Sequence, residues 1–329
     1  MKLIKKSVFL FAFTGLLFSC SNEINNQTTT QNSNETTTAR VVTPKKFLFD
    51  AIKAETAGNA DWIISENSSG TPLRFPSPAA STVTATTPET YWKGGLSAWG
   101  IALTKQGHSV ESLVAGGTIT YGNAANAQDL SKYDVYVVDE PNILFTASEK
   151  TAIMNFVKNG GGLFMIADHT VSDRNNDGKD SPAIWNDLMA NNSVQANPFG
   201  LTVELTNISE TSTKLLIDST NKILNGSQGV VSKLKFSNGA TIKLNKVANT
   251  TAKGLIFRNS VTTASTTKVM CASATYFAGR VVLITDSSPA DDGTGNPSDV
   301  LYNGWSDATV ASSHSRLHLN ASLWLAKLQ

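Results

Sequence analysis

Four short apolar runs punctuate the chain, and each ends in polar or acidic residues. KFLFDA delivers Asp50, YDVYVVDEPN delivers Asp139 and Glu140, GGLFMIADH delivers Asp168 and His169, and GRVVLITDSSPADDG delivers Asp286, Asp291 and Asp292. Continuous runs of Val, Ile, Leu and Phe predict strands covered on both faces. Between them, LSAWGIALTKQG and TASEKTAIMNFVKNGG place apolar residues at three and four spacing and predict helices. The second opens on a Thr146-x-x-Glu149 capping box and closes on Gly160. Strand and helix in alternation imply right-handed crossovers and a mostly parallel sheet, with a ligand crevice beyond the carboxyl ends of its strands. The acidic strand ends are therefore expected on one edge, although they lie far apart in sequence.

Residues 191–267 change texture to Thr, Ser, Asn and Lys with alternating stretches such as KLKFSNGATIKL. That alternation predicts antiparallel strands, as an edge extension of the same sheet or as an inserted hairpin layer, with the Asn-Gly pairs as turns. The chain then re-enters the core with TKVMCASATYFAGRVVLITDSS and closes on the amphipathic helix SRLHLNASLWLAKL.

The opening MKLIKKSVFLFAFTGLLFSC pairs lysines at 2, 5 and 6 with an apolar run too short to span a bilayer comfortably. It reads as a secretory signal over residues 1–20 and resembles a bacterial lipobox, which implies lipidation at Cys20. Residues 21–44 contain almost no apolar side chains and cannot offset their ordering entropy, so a disordered tether is expected before a domain over 45–329. The expected address is an outer-membrane lipoprotein, held to the membrane through Cys20 and facing the periplasm or the cell surface. Without Cys20 only Cys271 remains, so no intrachain disulfide can form, and its apolar setting predicts a buried thiol. A formal net charge of +1 gives no electrostatic case for a nucleic-acid partner.

The order of elements, together with LSKYDVYVVDEPN, FTASEKTAIMNFVKNGGGLFMIADH, NKILNGSQGVV and GRVVLITDSS, resembles the class I glutamine amidotransferase-like fold. The texture is similar to the branch found in gliding-motility, intraflagellar-transport and trehalose-utilisation-like proteins. That resemblance implies an α/β, flavodoxin-like, doubly wound and mostly parallel sheet with an additional antiparallel segment. It also implies a departure in chemistry. Ala167, Asp168 and His169 stand where amidotransferases carry a nucleophilic cysteine, and glutaminase chemistry needs that thiolate.

The stretch ADHTVSDRNNDGKDSP contains Asp173-x-Asn175-x-Asp177-Gly178, alternate oxygen donors followed by a glycine, as in the first half of a calcium loop. The twelfth position is Ile184 rather than a bidentate glutamate, which leaves Asp180 as the late ligand. The expected ion is calcium in a structural role, with a second divalent metal at the strand ends. The bland alternative is an Asx turn leading into a helix capped by Ser181 before Pro182.

The candidate catalytic group is His169 as base or ligand, Asp168 and Asp50 as ligands or orienting groups, Glu140 as acid or base, and Ser287 in the late loop beside Ser288. The expected function is a metal-dependent hydrolase of the cell envelope. The alternative is a non-catalytic, calcium-stabilised module that binds a glycan, peptide or protein. His108, in a helix-to-strand turn, is expected at the surface. His314 and His318 stand four apart and share a helix face, a spacing that suits a metal, although no acidic residue follows at zinc-site spacing and a helix needs an exposed face anyway. Trp62, Trp92, Trp185 and Trp305 sit in polar, loop-like text, which leaves open either core packing or a stacking surface.

Overall fold

The computed structural model describes residues 43–295 and 303–329. The signal, tether and lipidation expectations on residues 1–42, Cys20 included, lie outside the described residues.

The strands are β1 (Lys46–Asp50), β2 (Ser109–Leu113), β3 (Val135–Asp139), β4 (Gly162–Ile166), β5 (Leu201–Ser212), β6 (Lys214–Leu215), β7 (Asn225–Gly226), β8 (Gly229–Val230), β9 (Leu234–Leu244), β10 (Lys253–Phe257), β11 (Val269–Tyr276) and β12 (Gly279–Ile284). The main sheet runs β2-β1-β3-β4-β12-β11-β10-β6. Its first five strands are parallel neighbours, the order of a flavodoxin-like sheet. From β11 outward the pairing is antiparallel. The fold is α/β, a doubly wound sheet with an antiparallel extension.

Helices α1 (Ser97–Lys105) and α4 (Ser313–Leu325) cover one face, packing Trp99, Ile101, Leu317 and Leu325 on Phe47, Phe49 and Phe164. Helices α2 (Ala147–Lys158) and α3 (Ser181–Ala190) cover the other with Ile153, Phe156, Trp185 and Leu188. Alternate side chains of the central strands face opposite clusters, which is why these strands read as unbroken apolar runs. Each fully buried side chain of this size contributes roughly 1.5–3 kcal/mol.

The α2 capping box forms as expected: the Thr146 hydroxyl accepts from Glu149 N and the Glu149 carboxylate accepts from Thr146 N. Gly162 lets β4 approach α4, because a Cβ there would stand 2.7 Å from Leu325 Cβ.

In residues 191–267 both expected arrangements occur: β10 and β6 extend the sheet, while the long β5–β9 pair branches from β11 through Val269 and Ile242. The Asn-Gly expectation needs correction. Asn238-Gly239 lies inside β9 at a register shift rather than at a turn. A Cβ on Gly239 would stand 2.4 Å from Thr285 O, so this glycine lets β9 pass over the end of β12.

Asp139, Ile166 and Ile284 are register partners, so β3, β4 and β12 end level. The residues that follow, Glu140, Ala167-Asp168 and Thr285-Asp286, therefore meet at one edge.

Candidate functional site

Glu140 is the hub of that edge. It follows β3 with φ +47, a left-handed conformation that a non-glycine residue adopts at a cost. Backbone bonds hold it there: Glu140 N donates to Ile166 O at 3.0 Å, and Asn142 Nδ2 donates to Glu140 O at 2.9 Å. The side chain is fully buried and takes donors on both oxygens. Arg174 Nε reaches Oε1 at 2.8 Å, while Trp62 Nε1 at 2.7 Å, Ser287 Oγ at 2.8 Å and Arg174 Nη2 at 3.3 Å reach Oε2. Four donor contacts, two of them from a guanidinium, converge on this carboxyl group, and the Asp168 carboxyl also reaches it.

Asp168 lies beside it. Its backbone N is fixed by Ser181 Oγ at 2.8 Å, and its Oδ2 stands 3.6 Å from Arg174 Nη2 and 3.6 Å from His169 Nε2. Burial first, then the charges of Glu140 and Asp286, push its carboxyl well above the usual range, against the pull of Arg174. Asp139 is pushed the same way by burial and by Glu140, Asp291 and Asp286. Both Asp139 oxygens and Asp168 Oδ1 are buried with no hydrogen-bond partner. Burial pushes Asp286 up to about 7, although it accepts from Ser237 N at 2.5 Å and Ser288 N at 2.8 Å. Arg174 is the cation facing this group, and the Glu140 pair raises its own pKa further.

His169 sits at the rim, its side chain about a quarter exposed. Its Nδ1 lies 2.7 Å from Thr170 O, so Nδ1 carries the proton and Nε2, facing Asp168, is the free acceptor. The edge thus lines up a quarter-exposed imidazole, a carboxyl whose pKa burial and neighbouring charge raise, and a buried carboxyl held by donors.

The calcium-loop residues are arranged for the backbone. Asp173 accepts from Asp177 N at 3.0 Å and Gly178 N at 2.6 Å, and Asp177 accepts from Lys179 N at 2.9 Å and Asn175 Nδ2 at 3.1 Å. Asp180 accepts from Val171 N and Ala183 N, both at 2.9 Å, and is the N-cap of α3. That corrects the assignment of the cap to Ser181, whose hydroxyl instead serves Asp168 N. Asn175 Oδ1 is buried with no hydrogen-bond partner among the described residues. Among the described residues no group of three or more His, Cys, Asp or Glu is arranged to hold a metal ion.

Asp50 does not join the Glu140 group. It pairs with Glu55 and Tyr136 at the end of β1, where it also accepts from Ile52 N and Lys53 N at 3.0 Å. Asp292 reaches across to α1, accepting from Ala98 N at 2.5 Å at a helix start that has no side-chain cap of its own, and burial pushes it up to about 7. His108 is buried against Phe47 rather than at the surface, and Lys45 N donates to it. His314 and His318 occupy no exposed face: both are fully buried, His314 Nδ1 bonds Gly304 O, and His318 packs among Trp99, Phe164 and Trp305. Burial pushes them down to about 4 and about 3. Trp62, Trp92, Trp185 and Trp305 are all core residues, and burial pushes the Cys271 thiol far up.

Arg174 and Trp62 are the site residues that strand-end reasoning passes over. Arg174 stands inside the acidic loop 167–182, where it and Lys179 are the two basic residues among four aspartates, and that was the available signal.

No protein-family model matches the chain, and no curated protein matches it. Among solved structures, the N-terminal domain of mmIFT52 is similar, with a TM-score of 0.51 and 13% identity over 85% of this chain and 97% of that one. A thua-like protein from Parabacteroides merdae aligns at a TM-score of 0.43 and 13% identity, over 87% of this chain and 91% of that one. At such identity the likeness to the mmIFT52 domain is one of fold alone, an α/β sheet of mostly parallel strands.

Proposed function

We propose that this chain is a cell-envelope hydrolase whose working groups are His169 and Asp168, with Glu140 as the charge that positions them. The observation that carries the reading is the contrast between neighbouring carboxyls. Glu140 takes four donor contacts, and burial, together with the charge of Glu140, raises the pKa of Asp168. Pairs of acidic groups driven apart in this way supply an acid and a base at the same pH.

In the resulting reaction His169 Nε2 takes a proton from water while the water oxygen bonds to the electrophilic carbon of the substrate. The bond to the leaving oxygen breaks, and that oxygen takes the proton from Asp168. Imidazolium then returns its proton to Asp168 across the 3.6 Å gap, which restores both groups. An acidic site suits an uncharged substrate, an ester or a glycan, over a polyanion. Ser287 and Trp62 keep Glu140 in place and do not enter the bond changes. The expected second divalent metal would find buried oxygens on Asp139 and Asp168 that have no hydrogen-bond partner among the described residues, but no group of three or more His, Cys, Asp or Glu among those residues is arranged to hold it, and the steps above use the protein's own protons.

Lipid anchoring through Cys20 in the outer membrane, and calcium held by Asp173, Asn175 and Asp177 with a stabilising role, belong to the same proposal. Turnover of uncharged chromogenic esters and glycosides by the full chain tests it. His169→Ala and Asp168→Asn should each lower kcat by roughly 10²–10⁴, and Glu140→Gln should move the pH optimum downward. Equal rates in all variants would refute the mechanism.

A second reading is a non-catalytic binding module for a glycan, peptide or protein. The complete burial of Glu140 and Asp286 favours it. It predicts no turnover of any substrate, with glycan or peptide binding that survives His169→Ala.

A further inference from the structure

The two edges of the parallel sheet carry opposite charge. The carboxyl edge holds the acidic group described above. At the opposite edge, Lys45 precedes β1, Lys158 ends α2, Arg280 opens β12 and Lys327 follows α4. Asp134 faces them, paired with Lys45 at 2.9 Å, and Arg280 Nη1 donates to Trp324 O and Gln329 O. Lys327 feels this crowding: burial, then Arg280 and Lys45, lower its pKa against Asp134.

At the same edge, the β11–β12 turn presents Phe277 with its side chain out. It is 70% exposed and at φ +51, a conformation that a bulky residue adopts only with strain, and its ring carries Lys158 Nζ at 4.9 Å. Val247, 98% exposed, lines with Phe277 and Tyr276 a shallow hollow of about 350 Å³. The core gains little from Phe277 or Val247, and a strained, exposed phenylalanine beside a lysine needs another explanation.

We propose that this edge docks on an anionic lipid bilayer, with Phe277 and Val247 entering the headgroup–acyl boundary and Lys45, Lys158 and Lys327 facing lipid phosphates. Chain geometry agrees. Strand β1 starts at this edge, and the expected anchor Cys20 lies 26 residues before Lys46. Docking in this orientation turns the Glu140 edge away from the lipid, toward substrate. The inference rests on the envelope reading for its membrane but not on the acyl group.

The test uses the full chain with Cys20→Ala, so that no lipid is attached. Cys271 is buried, so a single environment-sensitive fluorophore can be placed by Ala278→Cys at the hairpin tip or, as a control, by Asp177→Cys at the acidic edge. Vesicles of phosphatidylcholine with about a third phosphatidylglycerol should shift the emission of the tip label to the blue and leave the Asp177 label unchanged. Adding Phe277→Ser with Val247→Ser, both at exposed positions, should weaken vesicle binding at least tenfold. Millimolar inorganic phosphate should give no shift. A tip label that stays in water on vesicles bound through the signal segment, an equal shift of both labels, or binding unchanged by the double substitution would overturn the proposal. Acyl labelling of wild type against Cys20→Ala tests the anchor separately.

Discussion

Raising the pH from 5 to 8 should remove stability that Asp292 contributes, the reverse of what an ordinary carboxylate does. Asp292 is pushed up from 3.8 to about 7 by burial, so between those values the native state binds a proton that the unfolded chain does not. Such a group contributes stability that is full below the unfolded pKa and is lost as pH climbs through the folded one. At about 1.4 kcal/mol per unit, Asp292 alone accounts for about 3 kcal/mol between pH 5 and 8. That is a large share of the 5–15 kcal/mol typical of a domain. Asp286, Asp139, Asp168 and Glu55 act in the same direction. Asp218 and Asp307, lowered to about 2 by hydrogen bonds from Lys253 and Lys235, work the other way and lose their contribution only as pH falls toward 2. Buried His314 and His318, pushed down to about 4 and about 3, also work the other way and lose their contribution as pH falls from the ordinary histidine value toward 3. Urea denaturation at pH 5, 6.5 and 8 isolates the Asp292 share: the stability of wild type over Asp292→Asn should be largest at pH 5, where the amide cannot accept from both Ala98 N and Thr294 N, and should shrink by about 3 kcal/mol by pH 8. A difference that is level or grows from pH 5 to 8 would refute the reasoning.

Gly162→Ala places a Cβ 2.7 Å from Leu325 Cβ and 2.8 Å from its carbonyl, and should cost about 1–3 kcal/mol in a denaturation curve, since α4 must shift to admit it. Calcium titration followed by thermal melting should raise Tm in wild type, and Asp173→Ala with Asp177→Ala should abolish the rise; Asp180→Ala should lower Tm with and without calcium, because Asp180 caps α3.

The buried strands were legible because their apolar runs have no other use, and the register of Asp139, Ile166 and Ile284 follows from the runs ending alike. The capping box of α2 was legible because both of its halves lie within four residues. What escaped depends on distant partners. Nothing near Asp292 in sequence announces that it caps α1, and nothing near Asp50 announces that Glu55 and Tyr136 draw it out of the strand-end group. Asn238-Gly239 has the sequence of a turn, yet the need for β9 to clear Thr285 decides its place. His314 and His318 look like surface or metal residues by spacing, while the sheet and the Trp99 ring bury them. The pairing of Arg174 with Glu140 joins a loop to a strand end 34 residues earlier, which no local pattern encodes.

The protonation state of Asp168 is the centre of the account, and carboxyl-carbon NMR across a pH titration, with Asp168→Asn to assign the signal, measures it directly. The account predicts an Asp168 signal that titrates well above the ordinary carboxyl range and moves down toward it in Glu140→Gln. A signal titrating near 4 in wild type would contradict it.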